Sequence, residues 1–465
     1  MSPEPAVDLV VVGGGVAGLA AAWEAVLLGA SVTVLETAER TGGKLVTSDL
    51  EVDGSVLRID EGADAFLARV PDAVELCREL GLDDEFVTPA TGRAHVWFDG
   101  ALRPLPGQHV LGVPLDADDA AATGLLSAAA VERIRSEPES TGAPPVGDVS
   151  IGAYLGERLG REVVDHLVGP LVGGISAGDV DRLSLSAVTP QLAEAARRGG
   201  SLIRALSDQR PVGGDDTPVF CGLRGGSARL VEVLTDRLVA AGARVETSVD
   251  VLEVSSGADG RPTVLTDGRS IDGDGVVLAT PADVSAGLLD RLSPQAAEGL
   301  RSIPTTSVVL VTFVYDRDDV PGPLDGSGFL VPRGAGLFLT AASWGSSKWA
   351  HWDDGRHVVL RVSAGHRDDG RVNEVDDDAV AARLRADLAT TMGIVAEPRA
   401  TRVSRWTGAF PQYEVGHLER LERIDAALHR DAPRVRLAGM SYRGVGIPAS
   451  IRSGRTAARS LVTPR

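Results

Sequence analysis

Three glycines, Gly13, Gly15 and Gly18, carry the first chemical signal in this chain. They stand in G-x-G-x-x-G spacing after a continuous apolar run, residues 9–12, of the kind a strand buried on both faces shows. Gly13 permits a tight turn, and Gly15 lets a pyrophosphate approach bare backbone. Gly18 allows the following helix to pack closely on the strand. The helix is expected over 16–28, closed by Gly29. A second strand, 32–35, delivers Glu36 and Thr37. A carboxylate there accepts both ribose hydroxyls and disfavours a 2′-phosphate, which points away from NADP. Strand, helix and strand-end acid in that order outweigh a merely structural glycine turn.

A second glycine pair, Gly42 and Gly43, follows with Lys44. In enzymes that retain FAD, such a pair lets backbone wrap the diphosphate while a basic residue reaches the phosphates or the flavin. A surface turn with a solvated lysine is the plain alternative. FAD is the expected cofactor. Glu61-Gly-Ala-Asp-Ala-Phe66, after a β-rich stretch, suits a loop passing the flavin, where glycine admits the ring. The eight histidines show no metal spacing. His351, His357 and His366 fall on different expected elements and read as surface or core polar residues.

The elements that must hold these residues follow from pattern. A helix is expected over 71–80, stopped by Gly81, and a hairpin over 94–98 and 101–105, turning on Asp99-Gly100. Residues 116–167 read as helical, interrupted by a linker-like 136–147, with Ser150 capping a helix. Residues 169–179 are expected to break helicity, because four glycines crowd the span. That density means a tight corner or a flat ligand lying on backbone. Residues 228–240 read as a helix closed by Gly242, and 244–247 and 249–254 as strands. A hairpin follows, turning at Ala258-Asp-Gly260, and 275–281 is a buried strand. Residues 307–315, 336–340 and 357–363 suit a second, mostly antiparallel sheet. Residues 376–392 suit an amphipathic helix and 399–406 a strand. The ending, 435–448, is a strand and a glycine-rich turn, with Pro448 where the last helix begins. No internal repeat is evident.

Composition bounds the function. The chain has 465 residues, enough for two or three domains, and 43% hydrophobic content suits an ordinary α/β protein. No run approaches the ~20 apolar residues of a membrane helix. Met1-Ser-Pro-Glu-Pro lacks a basic region, which predicts no export signal. Cys77 and Cys221 lack metal or C-x-x-C spacing and read as reduced thiols of a cytoplasmic protein. The net charge of −19 argues against nucleic acid and against anionic membranes.

Three segments resemble one family: the FAD-dependent protoporphyrinogen/coproporphyrinogen III oxidases, within the amine-oxidase-like flavoproteins. They are Glu61-Gly-Ala-Asp-Ala-Phe66, Pro170-Leu-Val-Gly-Gly-Ile-Ser-Ala-Gly-Asp179, and Leu437-Ala-Gly-Met-Ser-Tyr-Arg-Gly-Val-Gly-Ile-Pro448 with Ser453-Gly-Arg455. The resemblance implies an α/β (α+β overall) fold with a Rossmann-like FAD-binding domain, expected over 1–68, 205–290 and 405–465. A mixed-sheet substrate domain would take 69–108 and 291–404, and a helical insert 109–204. It assigns residues 13–18, Glu36, Thr37, Gly43, Lys44 and 62–64 to FAD. To these it adds Val251 at the adenine, Trp406, and Gly439, Val445, Gly446 and Ile447 at the flavin's pyrimidine side. Gly174 and Ile175 would hold a tetrapyrrole, and Arg69 would grip a substrate carboxylate, with Arg443 or Lys348 as further partners. Trp406 can also be read as core, and Arg69 as a solvated surface residue. Ser176 stands where relatives usually carry an aromatic, which would loosen a cavity wall, and Met440 where an Asn is common.

The implied activity is six-electron oxidation of coproporphyrinogen III to coproporphyrin III, with O2 as acceptor and release of three H2O2. No protein acid or base is assigned. The acidic insert around Leu115-Asp-Ala-Asp-Asp119 favours this water-soluble substrate over protoporphyrinogen and predicts no stable membrane insertion. Transient contact with other haem-pathway enzymes is the only protein partnership implied. Protoporphyrinogen IX oxidase is the alternative. An amine oxidase, a carotenoid desaturase or a non-catalytic tetrapyrrole-binding flavoprotein stand behind it.

Overall fold

The computed structural model describes residues 7–209, 218–257 and 259–462. The N-terminal Met1 to Pro5 and the turn residue Ala258 lie outside them.

The apolar run forms the middle of a five-stranded parallel sheet. Its order is Arg244–Glu246, Ser31–Leu35, Asp8–Val12, Gly275–Leu278, Val435–Leu437. Leu9 to Val12 are buried on both faces, as a central parallel strand requires. On one face lie the helices Val16–Leu27, Ala228–Ala240 and Ile447–Val462, with Pro71–Glu79 packed beside them in one apolar cluster. On the other lie Ala282–Leu289, Pro294–Arg301 and His417–Asp431, the last a helix with no counterpart in the sequence reading.

A seven-stranded mixed sheet stands beside it, in the order Ala400–Pro411, Thr305–Asp316, His357–Ala364, Leu339–Trp344, Gly328–Leu330, His95–Phe98, Ala101–Pro104. All pairs are antiparallel except Gly328–Leu330 with His95–Phe98. The hairpin turns on Asp99 and Gly100, both at positive φ (49° and 71°), the geometry of the two-residue turn that Asp-Gly favours. Short helices between Ala117 and Asp208 share a third apolar cluster. Ser150 caps Ile151–Leu159 by accepting from the Ala153 N–H at 3.1 Å. Among the described residues, no helix is long and apolar enough to cross a membrane.

Four expectations need correction. Residues 169–179 do not break helicity: Gly169–Ser176 is a helix, entered through a π-helical turn, Val164–Val168. Its end is set by Ala177 at φ 50°, while Gly169, Gly173, Gly174 and Gly178 all keep negative φ. The glycines serve close packing: a Cβ on Gly174 would come within 3.2 Å of Leu330, and one on Gly173 within 3.0 Å of the Gly178 carbonyl. Strand Ala400–Pro411 runs through the expected boundary at 404/405, held to the second sheet as far as Pro411. Residues 71–82 and 291–303 bury their apolar side chains under the nucleotide-type sheet rather than in a separate substrate domain. Gly336 precedes the strand that was expected to begin there, which starts at Leu339.

Helix Val16–Leu27 is pressed against its neighbours at two glycines. A Cβ on Gly18 would lie 1.9 Å from the Gly13 carbonyl, and one on Gly454 of the terminal helix 2.0 Å from the Ala17 carbonyl. Gly287, also helical, has nothing within 4 Å of an added Cβ. The same change should therefore act with opposite sign. Gly454→Ala is expected to cost about 1–3 kcal/mol by overpacking, and Gly287→Ala to gain up to about 1 kcal/mol of helix propensity. Denaturant or thermal unfolding of the two variants measures both.

Candidate functional site

A cavity of about 1250 Å³ runs between the two sheets. A single small-molecule site usually holds about 300–1,000 Å³, so the space admits more than one ligand.

One end is built by the first strand–helix turn. Helix Val16–Leu27 begins at Gly15 with no side-chain cap and no acid in its first turn, leaving its N–H groups bare toward the cavity. Gly43 crosses in front: Gly15 and Gly42 form a parallel bridge, and Gly42 N–H donates to Gly14 O at 2.7 Å. A Cβ on Gly15 meets only Gly43 Cα, at 4.0 Å, so a side chain there would enter ligand space. Glu36 is pinned at the strand end: Oε2 accepts from Gly14 N–H (2.7 Å) and Oε1 from Ala38 N–H (2.9 Å). Each oxygen keeps lone-pair capacity for a ribose hydroxyl. Thr37 bonds Asp250, and Asp250 and Val251 complete this wall.

Lys44 faces the cavity half-buried, with no hydrogen-bond or ion-pair partner among the described residues. Burial lowers its pKa, opposed by Asp283. An anion in the cavity would relieve that cost.

The loop of Gly62, Ala63 and Asp64 is held from behind. The Asp64 carboxylate sits 3.0 Å from Lys348 Nζ, 2.9 Å from Arg361 Nη1 and 2.9 Å from Trp349 Nε1. Burial alone would raise its pKa, but the two cations and the indole N–H outweigh it and hold the group well below the carboxylate range. Arg361 also donates to the Gly62 carbonyl. Trp406 is no plain core residue: its Nε1 donates to Glu61 O at 2.8 Å and its ring borders the cavity over Gly62.

The opposite wall is the turn from Gly439 to Gly446, which leads into helix Ile447–Val462. Gly439 takes φ 118° and Gly444 φ 136°. Gly439, Met440, Val445, Gly446 and Ile447 all line the cavity, so a second helix N-terminus faces it. Tyr413 stacks on His417 at 4.0 Å and bonds both Met440 O (2.6 Å) and Gly444 N–H (2.9 Å). Burial pushes His417 down to about 4, so at neutral pH the imidazole is uncharged and donates through Nε2 to Tyr442 O at 2.7 Å. Nothing in the sequence reading singled out this support.

Beyond the glycine helix the cavity widens. Gly174 and Ile175 form one side, with Val308, Leu310 and Leu339 across from them. Ser176 does not face it; the side chain is buried and bonds Val172 O within its own helix, so it loosens no wall. Arg69 is exposed and outside the lining. Lys348 is committed to Asp64, and Arg443 pairs with Asp425 on the surface. Two further guanidinium groups line the cavity, those of Arg333 and Arg371, from segments that the sequence reading did not join to the site; Arg361 lines it too, held by Asp64. Only Pro332-Arg-Gly-Ala-Gly336, an arginine between small residues, hinted at a site. Arg333 pairs with Asp179 at 2.9 Å and Arg371 with Asp369 at 2.7 Å, both partly solvated.

Comparison with known proteins agrees with this architecture. The flavin containing amine oxidoreductase family matches over residues 16–462. The coproporphyrinogen III oxidase of Bacillus subtilis is 32% identical over 98% of each chain. That of Propionibacterium freudenreichii is 34% identical over 98% of this chain and 90% of its own. A crystal structure of a proposed protoporphyrinogen oxidase from Exiguobacterium superposes with a TM-score of 0.87, at 31% identity over 98% and 99% of the two chains.

The Asp64 network gives a pH signature. Its pKa is depressed on folding, so its stabilisation is present above the unfolded value near 3.9 and lost as pH falls below it. Asp64→Asn leaves two buried cations short of a counter-charge, and is expected to cost on the order of 3 kcal/mol at pH 7. That deficit should shrink as pH drops below about 4. Unfolding midpoints across pH 3–7 for both proteins check it.

Proposed function

The chain belongs to the flavin containing amine oxidoreductase family, and on that premise we propose that it oxidises coproporphyrinogen III to coproporphyrin III with FAD. O2 is the proposed acceptor, reduced to three H2O2 over six electrons. The observation that carries the reading is a single cavity joining a bare helix N-terminus to a chamber floored by glycine backbone and rimmed by cations.

The residues fit FAD. Gly15 and Gly43 leave backbone open to a diphosphate, Glu36 suits the ribose, and Val251, on the cavity wall, would border the adenine. Lys44 supplies an otherwise unmatched cation. FAD would supply a two-electron acceptor, so that three cycles in all aromatise the macrocycle. The protein's work is positional. Gly174 and Ile175 line the chamber, where the apolar Ile175 side chain would cover a bound ring. The helix that begins at Ile447 turns its N-terminus to the cavity and would hold the pyrimidine side of the flavin, where its dipole favours negative charge. Oxidised pyrrole nitrogens lose their protons readily, so no side chain is assigned as base.

Coproporphyrinogen carries four carboxylates, two more than protoporphyrinogen. Arg333 and Arg371 are the cations placed to exchange Asp179 and Asp369 for substrate carboxylates. This replaces the role expected of Arg69. A cytoplasmic setting accords with a water-soluble substrate.

Gly15→Val has room to fold and should lose bound FAD, measured by the flavin absorbance of purified protein. Retention of normal FAD would remove the cradle from this reading. kcat/KM on both porphyrinogens without detergent tests the substrate. Coproporphyrinogen should be preferred, and Arg333→Gln should raise its KM about tenfold, equivalent to ~1.4 kcal/mol, with kcat held. A preference for protoporphyrinogen would make that the substrate.

A further inference from the structure

At one end of two inner strands of the second sheet, outside the cavity lining, three ligating side chains converge. Asp316 and His357 are directly paired residues of adjacent strands, so their side chains share a face. Asp53 occupies the tip of the hairpin Thr47–Val52/Ser55–Asp60, at φ 48°, and reaches the same corner. One donor atom from each lies within 4.8 Å of the others. His357 Nε2 is 3.6 Å from Asp53 Oδ2 and 3.9 Å from Asp316 Oδ1.

His357 is only 3% exposed, and its Nε2 has no hydrogen-bond partner; neither has the buried Asp316 Oδ1. The other ring nitrogen is committed: Nδ1 lies 2.6 Å from Asp354 Oδ2. The Asp354 oxygen accepts the Nδ1 N–H, which leaves the Nε2 lone pair facing the two acids. Arg356 (2.5 Å) and Arg399 (2.8 Å) pair with Oδ2 of Asp53 and Asp316, orienting both carboxylates. Three carboxylates against two guanidinium groups leave one negative charge around a buried, unmatched imidazole nitrogen.

We propose that Asp53, Asp316 and His357 bind a divalent cation of the zinc class, which pins the hairpin tip to the second sheet, with Asp354 as positioning residue. Nitrogen plus carboxylate ligation suits Zn2+ rather than Ca2+ or Mg2+, which take oxygen donors. Donors about 2.1 Å from a tetrahedral ion stand roughly 3.4 Å apart, so the two gaps from His357 Nε2, 3.6 and 3.9 Å, need to close by only a few tenths of an ångström, and the two carboxylates by about 1.4 Å at most. The tip is exposed and can supply that movement; water would take the fourth position. The hairpin begins just after Lys44 and ends just before Gly62, so the pin steadies the strands that frame the cavity loop.

The test uses the full chain with its FAD, stripped of metal by chelator and titrated with ZnCl2 alone, reading bound zinc and Tm. One Zn2+ per chain is expected, with a rise in Tm. Asp53→Asn, which keeps a residue tolerant of positive φ, should weaken binding at least tenfold, as should Asp316→Asn. Asp354→Asn should weaken it about 10- to 100-fold. His357→Gln should abolish it; if that variant does not fold, the Asp53 variant decides. Absence of binding up to millimolar zinc would overturn the site. Zinc binding unchanged by the Asp53 and Asp316 variants would also overturn it, assigning the metal to another place.

Discussion

Backbone-to-backbone contact around the first helix is the constraint on which the rest depends. Ala279 O lies where a Cβ on Gly13 would go, Gly13 O where one on Gly18 would go, and Ala17 O where one on Gly454 would go. These approaches are closer than any side chain allows, and they set the separations of two strands and two helices. Their consequence is electrostatic as well as steric. The N-termini of helices Val16–Leu27 and Ile447–Val462 open on one cavity, so two sets of free N–H groups face the same ligand. Charge pairs then clamp the helices behind the contact: Glu24, itself buried, meets Arg459 at 2.6 Å and Arg455 at 3.7 Å.

Electrostatics inside the protein runs against its overall sign. A chain of net charge −19 keeps cations where ligand must bind: Lys44 in the cradle, and Arg333 and Arg371 around the wider chamber. Asp64 is the exception on the cavity loop, and its charge is spent on Lys348 and Arg361 behind that loop. The field a ligand meets is therefore set locally, because charges beyond about 10 Å are screened by solvent and salt. Net charge bears on diffusional encounter, and the wall residues on recognition.

The glycine helix shows where pattern reading loses its footing. Four glycines between 169 and 178 cost roughly 1 kcal/mol each in an exposed helix, which argues for a turn. Here Val172 and Pro170 are buried, and the glycines sit where Leu330 and the following turn come too close for a Cβ. Tertiary packing overrides the propensity. Ser176 follows from the same error: its side chain bonds within a helix that was not expected, so it never reaches the wall assigned to it.

The sequence alone determined whatever depends on neighbours along the chain. The central strand, its turn and helix, the acid at Glu36, the Asp99-Gly100 hairpin and the Ser150 cap were all legible, because each is a local backbone requirement met by residue type. So was the set of glycines at the cavity, since close approach has no other solution. Only the tertiary structure decided which charges meet. Arg69, Lys348 and Arg443 are chemically suited to a carboxylate, yet one is exposed off the cavity and two are held by Asp64 and Asp425. Arg333 and Arg371 come to the wall on loops with no periodic signature, and Asp53 meets His357 from the far end of the chain. An ion pair acts through space over a few ångströms, and sequence spacing carries no record of distances that packing alone sets.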